Sequence, residues 1–432
     1  MTDHSLSGLA FDAAQPAARF SNLLRRQRYQ LGGALLFGLV LPFAIRFGWD
    51  GFRAFPNHTH TMGMVLAGIV LSHFLIKQFA RYPGESPLTT ALPGASMGFG
   101  LVVLGIMSTH LAYSRGLLLW GYGTTVAFYA LVGLLKSRYF RQKLALVPFE
   151  GSAELISIRR VDWVPLSAPI PVSAARLTHG LVVDLTANLS SEWRNFVLSC
   201  GTAGIPVFDS TRAREMMTGQ VELTSLAHIG FDALLPHRIY QKVKSAADIV
   251  AAIALLPLAL PVIGIAALAV RLESPGPALF IQKRVGYRGR IFHCYKLRSM
   301  HAAAESAGPS FTTDADPRIT RVGRFIRKYR IDELPQIFNV LMGEMSWIGP
   351  RPEALTLAQA YERSIPYYNF RHSVKPGISG WAAVRQGNVA EVDAATQKLR
   401  YDFFYIKNLS PSLDALIMAK TVWTMLTGFG SK

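Results

Sequence analysis

Long apolar runs constrain this chain more than any other feature. Residues 246–270 carry a single charged side chain, Asp248. Four further apolar stretches, near Leu31–Ile45, Met62–Ala80, Ala95–Tyr113 and Gly116–Leu135, precede residue 140. A helix of about 20 apolar residues crosses the hydrocarbon core of a bilayer. The fourth stretch meets that length, whereas the first is short and contains Pro42. The expectation is a membrane protein whose residues 1–143 form a bundle of about four transmembrane helices.

Charge orients the bundle. Arg19, Arg25, Arg26 and Arg28 precede the first stretch, and Lys136, Arg138, Arg141 and Lys143 follow the fourth. Basic flanks mark the cytoplasmic side, so both ends are expected there. The less basic loop from Asp50 to Thr61 would face outward, and the Lys77–Arg81 turn inward. No cleavage signal follows the N-terminal arginines, so the first stretch reads as a retained anchor.

Lys and Arg total 45 against 27 acidic residues, a net charge of +18. Nucleic acid, anionic lipid or phosphorylated small molecules could each answer that excess. A chain that is 50% hydrophobic favours the membrane. Nucleic-acid binding would want aromatic platforms among the basic residues, and Phe325, Tyr329 and Phe338 read more simply as core or membrane-facing. Cys200 and Cys294 are the two cysteines, too few for a disulfide framework or a cysteine zinc site. His293 and Cys294, adjacent in a strand, point to opposite faces and make no metal pair.

Residues 144–240 have a soluble texture. Leu155–Ile158, Leu181–Leu185 and Ile205–Phe208 read as short buried strands, and Ser191–Cys200 as a helix stopped by Gly201. A small α/β domain follows from that alternation. It holds no GxGxxG and no P-loop, so a structural or regulatory spacer is favoured. Residues 241–432 begin with the long apolar run, where Pro257 and Pro261 stand one helical turn apart and demand a bend. Both flanks are basic, which favours a re-entrant helix that enters and leaves on the cytoplasmic face. Ala278–Gln282 and Ile291–Leu297 read as strands, and alternation would put Lys296 and Arg298 on one side. The segment Leu413–Leu426 reads as a helix, either on the membrane surface or in the core.

The chemistry concentrates between Arg321 and Gln336. Arg324, Lys328 and Asp332 share a face if one helix carries them, and Pro335 should stop that helix. Asp332 and Glu333 thus arrive at a backbone break among cations. A surface salt-bridge ladder is the commoner meaning of such a pattern, but here bases outnumber acids and remain free for phosphate. Lys296, Arg298, Arg351, Arg371 and Lys375 add further phosphate-binding capacity.

These residues resemble a known family. Ser274-Pro-Gly-Pro277, Lys296-Leu-Arg-Ser-Met300, Ile331-Asp-Glu-Leu-Pro-Gln336, Ile348-Gly-Pro-Arg-Pro352, Lys375-Pro-Gly-Ile-Ser-Gly-Trp381, Tyr401-Asp402 and Tyr405-Ile-Lys-Asn408 occur in order. Together they resemble the bacterial sugar transferases, the polyprenyl-phosphate hexose-1-phosphate transferases, in their long form with four N-terminal helices. The resemblance implies a re-entrant catalytic domain, poor in regular α/β layering, at the cytoplasmic face of the bacterial inner membrane. It implies Asp332 as nucleophile, with Glu333 and Asp332 at a Mg²⁺ ion, and it implies that Lys296 and Arg327 lie in the phosphate site. Pro261 matches the family's helix-breaking proline, although Leu260 stands where Ser is usual. The run Ala383-Val-Arg385-Gln-Gly-Asn388 departs from the family's pattern and leaves the role of Arg385 open. The implied reaction moves a sugar-1-phosphate from a UDP-sugar to undecaprenyl phosphate. Glucose or galactose is the expected sugar, at the start of exopolysaccharide, capsule or O-antigen synthesis. Membrane lipid is an implied partner, nucleic acid is not, and a homodimer stays open.

Overall fold

The computed structural model describes residues 26–48, 56–109, 111–139, 142–158, 161–223, 235–236, 238–301, 316–386 and 392–427. Arg19, Arg25, Asp50 and Asn388 lie outside them. The chain divides into two compact units, residues 1–219 and 220–432.

The first unit opens with α1 (Gln27–Phe47), α2 (Pro56–Phe79), α3 (Pro87–Thr109) and α4 (Arg115–Tyr139). All four are long and apolar enough to cross a membrane. The first is longer than the sequence promised, Gln27–Phe47, and a π-helical turn at Leu36–Val40 ends two residues before Pro42. A wider turn there eases the clash between the ring and the preceding carbonyls. The third starts earlier than expected, at Pro87, where Ser86 N–H donates to Thr89 Oγ1 at 2.9 Å. Proline suits a first helical position because its missing donor has no partner to lose. Gly94 and Gly98, spaced as G-x-x-x-G, let α3 and α2 touch backbone to backbone. A Cβ on Gly98 would stand 2.7 Å from the Ser72 nitrogen, so only the smallest residue fits.

The rest of the unit is a four-stranded parallel sheet of β1 (Gln142–Leu146), β2 (Val161–Pro165), β3 (Leu181–Val183) and β4 (Val207–Asp209), in the order β2-β1-β3-β4. The α/β alternation expected from sequence is present. One strand was misplaced: Leu155 belongs to α5 (Ser152–Ile156), and the strand is β1. Leu155 and Ile158 pack into one core at a three-residue spacing, which is helical rather than strand-like. The helix expected at Ser191–Cys200, α6, runs on through Gly201 to Thr202, so Gly201 does not stop it; Ser190 caps its start, its side chain accepting from Trp193 N–H. Helix α7 (Ser210–Thr218) follows β4.

The second unit is built on α8 (Arg238–Glu273), which remains helical through both Pro257 and Pro261. Ala252, Leu256, Ala259 and Ile263 on one face pack against Phe292, Cys294, Ile337 and Val340, and this packing holds the helix together across the prolines. Its other face exposes Val250, Leu258, Ile265, Leu268 and Leu272. The antiparallel hairpin of β5 (Leu279–Val285) and β6 (Ile291–Leu297) pairs in full register. A short parallel pair, β7 (Ser346–Ile348) and β8 (Gly377–Ser379), sets the opposite wall of the site. The C-terminal helix, Pro411–Thr427, packs into the core along one side. Leu413, Leu416 and Ile417 are buried while Met418, Val422 and Trp423 are exposed.

Candidate active site

The acidic pair sits at a backbone break, but not where Pro335 alone would place it. Helix α9 (Arg321–Lys328) starts with Thr320 accepting from Gly323 N–H at 2.8 Å. Glu273, the last residue of α8, accepts from Arg321 N–H at 2.8 Å and Val322 N–H at 2.9 Å. The end of the apolar helix thereby caps the start of α9. The helix stops at Lys328, and Arg330 takes the left-handed conformation, φ 54° and ψ 27°. A 3₁₀ segment, Ile331–Gln336, then carries Asp332 and Glu333 in its first turn with Pro335 inside. The single face shared by Arg324, Lys328 and Asp332 therefore does not exist. Two turns of different winding separate them, and the left-handed residue re-aims the acids.

The two carboxylates are both buried, with 9% and 6% exposure, and their surroundings differ. Glu333 is locked on both oxygens. Arg351 binds it in a forked pair, Lys296 Nζ lies 3.5 Å from Oε1, and Arg330 Nη1 lies 3.4 Å from Oε2. Burial works against the Glu333 charge, but Arg351 and Lys296 outweigh it and hold the carboxyl well below its usual range. Asp332 has no hydrogen bond to its carboxylate among the described residues. Burial and the neighbouring Glu333 charge push it up to about 6, against the pull of Lys296, Arg351 and Arg327. One acid is a strut and the other is open, a separation of roles that functional carboxylate pairs often show.

The predicted phosphate ligands divide by their partners. Lys296 and Arg351 meet Glu333, and Arg327, free of ion pairs among the described residues, acts on Asp332. Arg298 does not share the Lys296 side. Strand β6 ends at Leu297, and the Arg298 guanidinium donates to the Pro275 carbonyl at 2.8 Å and the Ser274 carbonyl at 2.6 Å. Arg371 is buried against Asp402 at 2.8 Å and Tyr368 at 2.8 Å, and donates to the Arg351 carbonyl at 2.9 Å. It supports Arg351 rather than lining the cluster. Lys375 faces Asp248 instead of the acidic pair. Arg330, inside the Arg321–Gln336 stretch, also joins the site, and nothing in the string announces a left-handed arginine. Arg284, which donates to the Pro352 carbonyl, was missed; its place in a strand gave no signal.

The Arg351 turn depends on close backbone approach. A Cβ on Gly377 would stand 2.1 Å from the Gly349 nitrogen, so the Gly-Pro-Arg and Lys-Pro-Gly motifs interlock. Tyr405 and Ser346 hydroxyls both donate to the Ile348 carbonyl at 3.0 Å and fix the strand entering that turn. Among the described residues no group of three or more His, Cys, Asp or Glu could hold a metal. Any divalent ion here would draw its remaining ligands from substrate. Mg²⁺ is commonly held by one or two carboxylates plus phosphate oxygens. Asp332 fits that demand, whereas both oxygens of Glu333 are already engaged by cations.

Residues 239–428 match the family described as bacterial sugar transferase. Over 402 residues, 93% of this chain and 94% of the relative, the chain is 41% identical to the UDP-N-acetylgalactosamine-undecaprenyl-phosphate N-acetylgalactosaminephosphotransferase of Aeromonas hydrophila. It is 43% identical to a UDP-glucose:undecaprenyl-phosphate glucose-1-phosphate transferase of Caulobacter vibrioides over 43% of this chain and 70% of that one. The protein of the same description from Escherichia coli is 41% identical over 42% of this chain and 39% of its own.

Proposed function

This chain belongs to the bacterial sugar transferase family and is a phosphoglycosyl transferase; from that premise we propose that it moves a sugar-1-phosphate from a UDP-sugar to undecaprenyl phosphate through a phosphosugar held on Asp332. The observation that carries the proposal is the asymmetry of the pair: Glu333 is consumed by Lys296, Arg330 and Arg351, while Asp332, unbonded, lies in the field of Lys296, Arg351 and Arg327. Lys296, Arg327, Arg330 and Arg351 stand against two carboxylates, which leaves a surplus of positive charge for a diphosphate.

The carboxylate oxygen of Asp332 attacks the β-phosphorus. The bond to the bridging oxygen breaks, and UMP leaves with the electron pair. A lipid phosphate oxygen then attacks the same phosphorus, the aspartyl–phosphate bond breaks, and Asp332 returns as carboxylate. Glu333 keeps Lys296, Arg330 and Arg351 oriented, which spares their reorganisation during the reaction. Asp332 and the donor's phosphate oxygens would hold Mg²⁺, whose chemistry when bound is to neutralise diphosphate charge.

The full-length relative acts, by its name, on UDP-N-acetylgalactosamine, and shorter matches on UDP-glucose. The match over the whole chain moves the proposed donor from glucose or galactose to N-acetylgalactosamine. The proposed setting is the bacterial inner membrane with the second unit on the cytoplasmic face. α8 is also long and apolar enough to cross a membrane, but both its ends are held by that one unit, which supports the re-entrant helix that enters and leaves on one face. Tyr240 hydroxyl donates to Asp414 at 2.6 Å at one end, and Glu273 caps α9 at the other.

Membranes supplied with a panel of UDP-sugars and undecaprenyl phosphate test the reading. UMP release beyond one equivalent per enzyme should require the lipid and Mg²⁺, with UDP-N-acetylgalactosamine turned over fastest. Release without the lipid acceptor at full rate would overturn it.

A further inference from the structure

Beside the first turns of α8 lies a cavity of about 790 Å³ that neither Asp332 nor Glu333 lines. Its walls carry Arg238, Lys242, Arg288 and Lys375, and none of these four has a hydrogen bond or ion pair among the described residues. Arg288 stacks on its neighbour, with the guanidinium 5.0 Å from the Tyr287 ring centroid. Lys244, also in the wall, is different, since its ammonium lies 2.8 Å from Asp414 and 3.9 Å from Asp248. Asp248 is the sole carboxylate in the lining; it lies 3.9 Å from Lys244 and also acts on Lys375 without a hydrogen bond or ion pair. Ser373 adds a buried hydroxyl oxygen without a partner. The cavity therefore gathers unpaired cations around one hollow, which repel one another unless an anion joins them.

The remaining wall is apolar, with Ile348, Val374 and Leu409. At the mouth, Ile239 and the following turn's Val243 are exposed and begin the apolar face of α8. A free phosphate would have no use for that surface, whereas a lipid phosphate would use both parts. Basic pockets beside membrane helices recognise anionic headgroups in this way.

We propose that this cavity is a second phosphate site, separate from the catalytic cluster, that binds the headgroup of an anionic phospholipid with an acyl chain along Ile239 and Val243. The proposal rests on α8 meeting the bilayer and not on the phosphotransfer mechanism. Such a lipid would fasten the α8 N-terminus at a fixed depth relative to the chemistry.

The test uses the full-length protein in nanodiscs of phosphatidylcholine with or without phosphatidylglycerol, compared with the Lys242→Gln/Arg288→Gln variant. Both side chains are exposed, so folding is not at stake. UMP release in pure phosphatidylcholine reports that folding and should be unchanged. Retention of phosphatidylglycerol, read by native mass spectrometry, should weaken about thirtyfold, as expected for two lost headgroup cations. Equal retention by wild type and variant overturns the site. Displacement of phosphatidylglycerol by inorganic phosphate as readily as by lipid overturns the lipid assignment. Displacement by undecaprenyl phosphate, with acceptor turnover lost in the variant, overturns its separation from catalysis.

Discussion

At the residue scale the account turns on two neighbouring acids with opposite fates. Asp332 titrates above its ordinary value because burial and the Glu333 charge disfavour its ionised form. The attacking species is the carboxylate, so kcat/KM for the UDP-sugar should fall below about pH 6 with unit slope, measured as UMP release against pH. The same shift acts on stability with the opposite preference. A folded-state value above the unfolded one means that Asp332 contributes stability fully below its ordinary value near pH 4, and that this is lost as pH rises through about 6. At neutral pH the ionised side chain is a net cost, on the order of 2 to 3 kcal/mol. Asp332→Asn should therefore raise the melting temperature at neutral pH while turnover disappears. Glu333→Gln should do the reverse, destabilising by about 3 to 5 kcal/mol because buried cations lose their counter-charge. Thermal unfolding of the two variants side by side reads the difference. The cations show why sequence legibility ended where it did. Lys296, Arg327, Arg351, Arg298, Arg371 and Lys375 look alike as phosphate ligands in a string. Only partners distant in sequence, such as Asp402 for Arg371 and the Ser274 carbonyl for Arg298, assign them different work.

At the element scale the strongest local signals were read well. The hairpin strand Ile291–Leu297 and the start of the helix at Ser191 follow from alternation and helical periodicity, although Gly201 does not end that helix. The break before Asp332 was legible as an event but not as a place. Pro335 advertises a stop, yet the 3₁₀ segment accommodates it and the chain turns earlier, at Arg330. The prolines of α8 lie inside one continuous helix, packed along one face. Close backbone contacts were invisible in the sequence because they join distant segments. Gly377→Ala tests the most crowded of them. A methyl group there must push the Gly349 backbone and with it Arg351, so activity should fall at least about tenfold, with Lys296→Ala as a reference for direct loss of a cation. Retained activity in Gly377→Ala would show that the Arg351 turn tolerates displacement.

At the scale of the whole molecule, an apolar helix is fastened at both ends to the unit that carries the acids. Single cysteines introduced at Gln241 and at Arg271, near the two ends of α8, should both react with an impermeant reagent from the cytoplasmic side of sealed vesicles. The native cysteines are buried and should not interfere. Reaction of the two ends from opposite sides would make α8 a full span and remove the re-entrant placement.

The central claim is that Asp332 itself carries the phosphosugar. The most direct measurement incubates the purified protein with UDP-N-acetylgalactosamine and Mg²⁺ in the absence of lipid acceptor, quenches in acid and maps the modified peptide by mass spectrometry. The account predicts one sugar-phosphate on Asp332, absent from Asp332→Asn and discharged when undecaprenyl phosphate is added before the quench. An adduct on another residue, or a labelled Asp332→Asn protein, would contradict it.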